Sequence, residues 1–263
     1  MGTESTERVA AGTELADRLR TLHVPGKPLI LPNVWDAAGA RAVVAAGFPA
    51  VATASAAIAP TLGYDDHENT PPDEMFAAVA RIAAAVDVPV TADIERGYRL
   101  PAEEIAARLL ATGAVGCNLE DSDARTGELV QVGEQAQLLA GVRAAAPELV
   151  INARVDVFLH GSGSREERIA EAVRRGKAYA DAGADCVYPL VVDGLDLAVA
   201  RALVDEIGVP VNFAYLPGGP SLTELVEAGV ARISFGPGLF RLLHGHLEAA
   251  LRTIAAGGDP YSR

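Results

Sequence analysis

The sequence is poor in aromatic residues and cysteine, and each shortage excludes a class of protein. Aromatic residues make up only 5% of the 263 residues, although half of the chain is hydrophobic. Alanine, valine and leucine must therefore fill the core, as is typical where helices pack on a sheet. The two cysteines, Cys117 and Cys186, are too few for a disulfide scaffold, so we expect a reducing, cytoplasmic setting.

Positive charge is also scarce. The chain has 22 Lys and Arg against 35 Asp and Glu, a formal net charge of −13. Such a surface repels the phosphates of nucleic acids and anionic lipids, so we expect neither as a partner. No apolar run reaches the ~18–20 residues of a membrane span, and the polar N-terminus does not resemble a signal peptide. A metal cation, by contrast, would be attracted.

Eight short, β-rich runs alternate with longer amphipathic segments. We predict strands at 29–32, 50–55, 89–95, 116–121, 149–156, 186–190, 210–215 and 232–236. Several are apolar almost throughout, as expected of parallel strands buried on both faces. Eight such repeats in a chain of this length predict an α/β fold, a (β/α)8 TIM-type barrel forming one domain over residues 1–263. The first strand is not followed by G-x-G-x-x-G, which argues against a dinucleotide-binding sheet.

Helix boundaries are marked by capping residues. Ser164 with Glu167, and Ser221 with Glu224, have the capping-box spacing. Pro101 stands at a predicted first helical position. Glycines that we expect just after helices are Gly47, Gly113, Gly183 and Gly229.

Polar residues follow the predicted strands at the end where barrel enzymes carry their chemistry. The main candidates are Thr53, Ser55, Asp93, Glu95, Glu120, Asp121, Arg154 and Asn212. The acids ending strands three and four repel one another unless a cation neutralises them, and oxygen-only ligands select Mg²⁺ or Mn²⁺ over zinc. Arg154 can bind a substrate carboxylate through two N–H groups, and Asn212 is a further expected substrate contact. The alternative is that these acids are solvated charges at loop edges.

Several motifs together resemble the isocitrate lyase/phosphoenolpyruvate mutase superfamily. They are LPNVWD at 31–36, AGFPAVATASAAIAPTLGYDD at 46–66, TADIERGY at 91–98, GCNLED at 116–121 and INARVDVF at 151–158. They occur in order on predicted strands one to five, and the resemblance extends from about residue 29 to residue 240. The branch it resembles most is labelled carboxyphosphonoenolpyruvate mutase-like or 2-methylisocitrate lyase-like.

The resemblance implies roles for individual residues. It implies that Asp93 binds Mg²⁺, or Mn²⁺, and that Asp66, Glu95 and Glu120 complete the metal site, partly through water. With Arg154, these last three are also the expected catalytic residues. The substrate carboxylate is expected to bind Arg154 and the turn formed by Thr53, Ala54 and Ser55. A homo-oligomer is also implied, a dimer or tetramer in which the last helix, near 239–254, is exchanged between subunits.

The implied chemistry proceeds through a metal-bound enolate of a pyruvate-like acid. We therefore expect a lyase that cleaves a C–C bond of a small 2-hydroxy- or 2-oxo-dicarboxylic acid. The loop at 122–128 lacks both the cysteine of the superfamily lyases and the lysine of the mutase. Hydrolysis of an oxaloacetate- or phosphonopyruvate-like substrate, and binding of a 2-oxo acid without catalysis, are the alternatives. The proton donor is open among Tyr98, Tyr188 and His160.

Overall fold

The computed structural model describes residues 3–262, with side chains from residue 12 onward. Its strands are β1 (Leu29–Leu31), β2 (Asn33–Val34), β3 (Val51–Thr53), β4 (Val90–Asp93), β5 (Gly116–Glu120), β6 (Ser122–Asp123), β7 (Glu128–Leu129), β8 (Val150–Val155), β9 (Cys186–Pro189), β10 (Asn212–Ala214) and β11 (Arg232–Ser234). Its helices are α1 (Thr3–Thr21), α2 (Ala37–Ala45), α3 (Ser55–Leu62), α4 (Pro72–Ala83), α5 (Ala102–Thr112), α6 (Val132–Ala145), α7 (Val157–His160), α8 (Arg165–Asp181), α9 (Leu197–Ile207), α10 (Leu222–Glu227) and α11 (Gly238–Ala255).

The parallel strands close into the predicted barrel. Strand β1 pairs with β11 and the adjoining β2 pairs with β3, so β1 and β2 together form the first of eight barrel strands. Pro32, which has no N–H to donate, separates the two. The bridge Val187–Val211 joins β9 to β10 and completes the wall. All eight strand predictions are confirmed, while β6 and β7 form a small antiparallel hairpin outside the barrel.

Most predicted helix signals are confirmed. Both capping boxes, at Ser164 and at Ser221, are present with reciprocal hydrogen bonds. The four predicted glycines all have φ between 81° and 101°, the left-handed conformation that ends a helix without a Cβ clash. Pro101 is a correction: it is the N-cap of α5, with an extended ψ of 151°, and the helix begins at Ala102.

The barrel wall separates an apolar outside from a polar inside. In β8, Ile151, Ala153 and Val155 belong to the core between sheet and helices, and the alternating residues Asn152 and Arg154 face the barrel interior. The amino-terminal end of the barrel is closed by α1, whose Ala16 and Leu19 are fully buried in a second apolar cluster. The carboxyl end therefore forms the mouth.

Helix α11 differs from the other long helices, because none of its residues is buried. The side chains of Leu243, Leu247, Leu251 and Ile254 are each more than half exposed. Their spacing of three or four residues places them on one face. Within residues 3–262, no helix combines the length and the apolar composition needed to cross a membrane.

Candidate active site

Two rows of polar side chains line the inside of the barrel toward its mouth. In the upper row, Glu120 on β5, Arg154 on β8 and Tyr188 on β9 are register neighbours. In the lower row, Asp93 on β4 lies beside Asn118, which is followed by Asn152. Because side chains on neighbouring parallel strands stack in register, each row is a continuous polar surface.

Asp93 is held at the start of α3. One of its oxygens, Oδ2, accepts hydrogen bonds from the Ser55 backbone N–H at 3.1 Å and from the Ser55 hydroxyl at 2.9 Å. The N-terminus of a helix favours such a negative charge. The other oxygen, Oδ1, is buried and has no hydrogen-bond partner. Asp93 thus presents one free carboxylate oxygen.

Asp66 presents a second free oxygen. Its Oδ1 is also buried without a partner. Burial raises the pKa of Asp66, and the negative charge of Asp93 raises this pKa further. Two nearby carboxylates that each have an unused oxygen are mutually repulsive until a cation binds between them.

Glu95 is fixed by its neighbours in an unusual backbone conformation. Its oxygens accept from the Tyr98 hydroxyl at 3.0 Å and from the Glu68 N–H at 2.6 Å. Glu68, Glu95 and Tyr98 all have positive φ, between 53° and 58°, which costs non-glycine residues free energy and is typical of functional sites. Burial, followed by the charges of Asp66 and Asp93, raises the pKa of Glu95 to about 8.

Arg154 is held between two acids. Its Nε and Nη2 donate to Asp156 at 2.7 and 3.0 Å, and its Nη1 lies 2.6 Å from Glu120. Burial opposes the positive charge, but Asp156 and Glu120 outweigh it and raise the pKa of Arg154 well above its usual value. Burial raises the pKa of Glu120 and Arg154 counteracts this effect. A guanidinium has five N–H groups, so at least two remain for a ligand.

Asp156 is itself anchored from outside the barrel. Its backbone N–H donates to Asp121 at 2.8 Å, and Asp121 accepts from Arg175 at 2.9 Å and from the Tyr179 hydroxyl at 2.7 Å, both on α8. Asp121 and Asp156 are fully buried. Sequence reasoning missed these roles, although Asp156 lies two residues after Arg154, a spacing that places both on one side of an extended chain.

The donor set fits a hard divalent cation. Among residues 12–262, no three His, Cys, Asp or Glu side chains converge closely enough to bind one ion directly. Mg²⁺, however, keeps several waters and needs only one or two carboxylates. Asp93 and Asp66 have the free oxygens for this, whereas Glu95 and Glu120 are already hydrogen-bonded or ion-paired and suit contacts through water.

The remaining predicted substrate contacts are engaged within the protein in this conformation. The Ala54 N–H donates to the Val34 carbonyl, the Ser55 N–H donates to Asp93, and the Thr53 hydroxyl accepts from the Asp93 N–H. Asn212 is fully buried in the barrel interior. It accepts from Asn152 at 3.1 Å and donates to the Ser234 hydroxyl at 3.1 Å. The structure therefore gathers Asp66, Asp93, Glu95, Glu120 and Arg154 at the mouth, with Asn212 deeper.

Comparison with known proteins places this geometry in a family. The sequence model of the phosphoenolpyruvate phosphomutase family matches residues 19–255. An uncharacterised protein of Mycobacterium tuberculosis (strain ATCC 25618 / H37Rv) is 34% identical over 90% of this chain and 88% of its own length. The Probable 2-methylisocitrate lyase 2 of Corynebacterium glutamicum (strain ATCC 13032) is 30% identical over 94% of this chain and 83% of its own.

A solved structure has the same fold as this chain. A crystal structure from Burkholderia cenocepacia J2315 superposes with a TM-score of 0.86 at 40% identity, covering 91% of this chain and 99% of the other. The match to the family model covers nearly the whole barrel. The chain is therefore a member of the phosphoenolpyruvate phosphomutase family, within the isocitrate lyase/phosphoenolpyruvate mutase superfamily of lyases, mutases and hydrolases.

Proposed function

We propose that this protein is a Mg²⁺-dependent lyase that cleaves a C–C bond in a small 2-hydroxy- or 2-oxo-dicarboxylic acid. One observation carries the proposal: Asp66 and Asp93 each keep a buried, unpartnered carboxylate oxygen in the mouth that also contains Arg154. A cation bound by the acids and an anion bound by the guanidinium would together neutralise the site. A 2-oxo or 2-hydroxy acid supplies both the chelating oxygens and the anion.

Each residue of the site has a distinct role in the proposed reaction. Asp93 and Asp66 hold the cation, and Glu95 and Glu120 orient the water around it. Bound Mg²⁺ supplies electrostatic stabilisation of the negative charge that develops on cleavage. Arg154 orients the substrate carboxylate, and Asp156 keeps its guanidinium in place. Thr53, Ala54, Ser55 and Asn212 complete the proposed substrate-binding set, and use of the Ser55 N–H requires Asp93 to release it.

Relatives support this choice of chemistry. The Corynebacterium relative carries the name of a C–C lyase. A phosphonopyruvate hydrolase with the same fold, at a TM-score of 0.81 and 23% identity, was crystallised with oxalate and Mg²⁺. Oxalate is a planar mimic of a 2-oxo acid enolate, and is therefore a suitable probe here.

The test is an assay of 2-methylisocitrate, oxaloacetate and phosphonopyruvate with Mg²⁺ and with EDTA. A lyase releases pyruvate and succinate from 2-methylisocitrate, whereas a hydrolase releases oxalate and acetate from oxaloacetate, or pyruvate and phosphate from phosphonopyruvate. Mg²⁺-dependent oxalate binding without turnover of any of the three would identify a binding protein instead. If the protein shows no turnover and no Mg²⁺-dependent oxalate binding, the metal site itself is contradicted.

We also propose that residues 1–263 form one domain and that the protein is a homo-oligomer, a dimer or tetramer, assembled through α11. The exposed apolar face of α11, formed by Leu243, Leu247, Leu251 and Ile254, is the supporting observation. A face of this length in water is unfavourable, and a second copy can cover it by exchange of the helix.

A further inference from the structure

The sequence leaves three candidates for the proton donor, and the structure separates them. The Tyr98 hydroxyl already donates to Glu95 at 3.0 Å, and its ring packs near Phe76. His160 is exposed at the end of the short helix α7. Tyr188 alone of the three lies in the upper row of the mouth, beside Arg154.

We propose that Tyr188 is the acid that protonates the carbanion released when the substrate is cleaved. This inference rests on the proposed function and names the group that the chain uses in place of the absent loop cysteine. Tyr188 is only 6% exposed. Its hydroxyl makes no hydrogen bond to any residue from 12 to 262, so its proton is available to a ligand.

Other hydroxyls of the mouth are already engaged. The Ser55 hydroxyl donates to Asp93 at 2.9 Å, and the Ser122 hydroxyl donates to Asp156 at 2.6 Å. A proton used to satisfy a buried carboxylate is costly to remove. Tyr188 does not carry this cost.

The charges around Tyr188 suit proton transfer and recovery. Burial raises the pKa of Tyr188 to about 12, against the lowering effect of Arg154, so the group is protonated across the neutral range. After transfer, Arg154 and the buried Arg232 favour the phenolate, whereas the carboxylates of Asp93 and Asp156 oppose it. Arg232 is 1% exposed, and its Nε and Nη1 have no hydrogen-bond partner. Among residues 12–262 it forms no ion pair, and Asp93 is the carboxylate whose charge acts on it.

The step balances. The O–H bond of Tyr188 breaks and a C–H bond forms at the carbanion, which supplies the electron pair. The tyrosine oxygen keeps the pair of the broken bond as a phenolate, and solvent water in the mouth returns the proton. No oxidant or reductant is involved.

The experiment uses pyruvate, whose methyl protons exchange with D₂O only if an enolate forms and is reprotonated. Exchange is followed by ¹H NMR with Mg²⁺, and oxalate binding is measured by calorimetry, since oxalate has no C–H. We expect Tyr188→Phe to reduce exchange at least ~100-fold, the usual contribution of a general acid. Oxalate affinity should change by less than about threefold.

Matched controls isolate the hydroxyl. Tyr64→Phe removes a hydroxyl that donates to Glu74 at the surface, and His160→Gln removes the exposed rival. Both should exchange at the wild-type rate. If Tyr188→Phe exchanges normally, or loses exchange only in proportion to oxalate affinity, Tyr188 is not the donor.

Two further outcomes are informative. If the wild-type protein binds oxalate but does not exchange the protons of pyruvate, the assignment of Tyr188 as proton donor is wrong and the metal site stands. If it does neither, the proposed function is wrong. If Tyr188→Phe proves unstable, Tyr188→3-fluorotyrosine tests the same point. In the exchange reaction the phenolate removes the methyl proton of pyruvate, the reverse of the proposed step, so the more acidic phenol should move the rise of the exchange rate to lower pH, and an unchanged pH profile would contradict the proposal.

Discussion

The guanidinium of Arg154 is bound edge-on by Asp156, whose two carboxylate oxygens accept from Nε at 2.7 Å and from Nη2 at 3.0 Å. Asp156 is fully buried, and α8 anchors it through Asp121. The orientation of the predicted carboxylate-binding residue is thus set by groups that a substrate does not touch.

Asp156→Asn should weaken ligand binding. The amide has the same size but only one acceptor oxygen and no charge, so Arg154 loses its fixed orientation. We expect Mg²⁺-dependent oxalate affinity to fall at least ~10-fold and the free energy of unfolding to fall by roughly 3 kcal/mol, as for other broken buried pairs. Calorimetry and denaturant unfolding measure the two. Asp73→Asn, which breaks a surface pair with Arg108, is the control and should change neither; equal effects in both variants would contradict the assignment.

Asp93→Asn should abolish most metal binding. It removes the charge from the carboxylate with the free Oδ1 and leaves the fold contacts with Ser55 largely in place. Because even the loss of an outer hydrogen bond costs metal sites 10–100-fold in affinity, we expect a loss of at least ~100-fold here. The binding of Mn²⁺, followed by electron paramagnetic resonance, reports this directly. Wild-type affinity in this variant would exclude Asp93 as the metal ligand.

The metal-free protein should lose stability as the pH rises. The pKa of Glu95 is about 8 in the folded protein and ~4.3 in an unfolded chain, so the folded state binds this proton more tightly. The stabilisation is complete below about pH 4 and is lost as the pH rises to 8. We expect Tm in EDTA to fall by roughly 5 °C or more between pH 5 and 8, on the usual scale of 2–4 °C per kcal/mol.

Two further measurements test whether the acids of the mouth cause the decrease in Tm. Glu95→Gln should show a smaller decrease in Tm over the same interval, because it has no proton to lose. Saturating Mg²⁺ should raise Tm more at pH 8 than at pH 5, because a cation offsets the repulsion among the ionised acids. A Tm that rises with pH in EDTA would show that Glu95 is ionised in the folded state.

Charges on the apolar face of α11 should reduce the oligomeric state. The double variant Leu243→Glu, Leu247→Glu places two carboxylates where we propose that a second subunit packs, since both leucines are more than half exposed in the single chain. Light scattering coupled to size exclusion measures the mass, which should fall toward 27.2 kDa. His246→Glu, also exposed on α11, is the control for added charge and should keep the wild-type mass.

The barrel was predictable because its signals are local. Strand runs such as 149–156 and helix caps such as Ser164 with Glu167 involve residues close together in the chain, and the structure reproduces them. The motifs that resemble the superfamily located Asp93, Glu120 and Arg154. Their placement on strand ends followed from the geometry common to parallel barrels.

The details of the site were not predictable, because they depend on contacts between distant segments. No motif in the sequence singles out Glu68. Its N–H nevertheless donates to Glu95, and its carboxylate accepts from the Tyr98 N–H at 2.6 Å. The link from Arg175 to Asp121 spans 54 residues. The role that we propose for Tyr188 likewise depends on its register beside Arg154, which sequence periodicity alone does not determine.

The closed floor of the barrel has a kinetic consequence. Since Ala16 and Leu19 fill the amino-terminal end, we expect both fragments of the proposed cleavage to depart by the opening through which the substrate arrives. On the proposed function, we expect the fragment paired with Arg154 to be retained by its charge and to leave last. That acid should inhibit turnover competitively, whereas the earlier product should inhibit noncompetitively, so product inhibition patterns alone would establish the order of release.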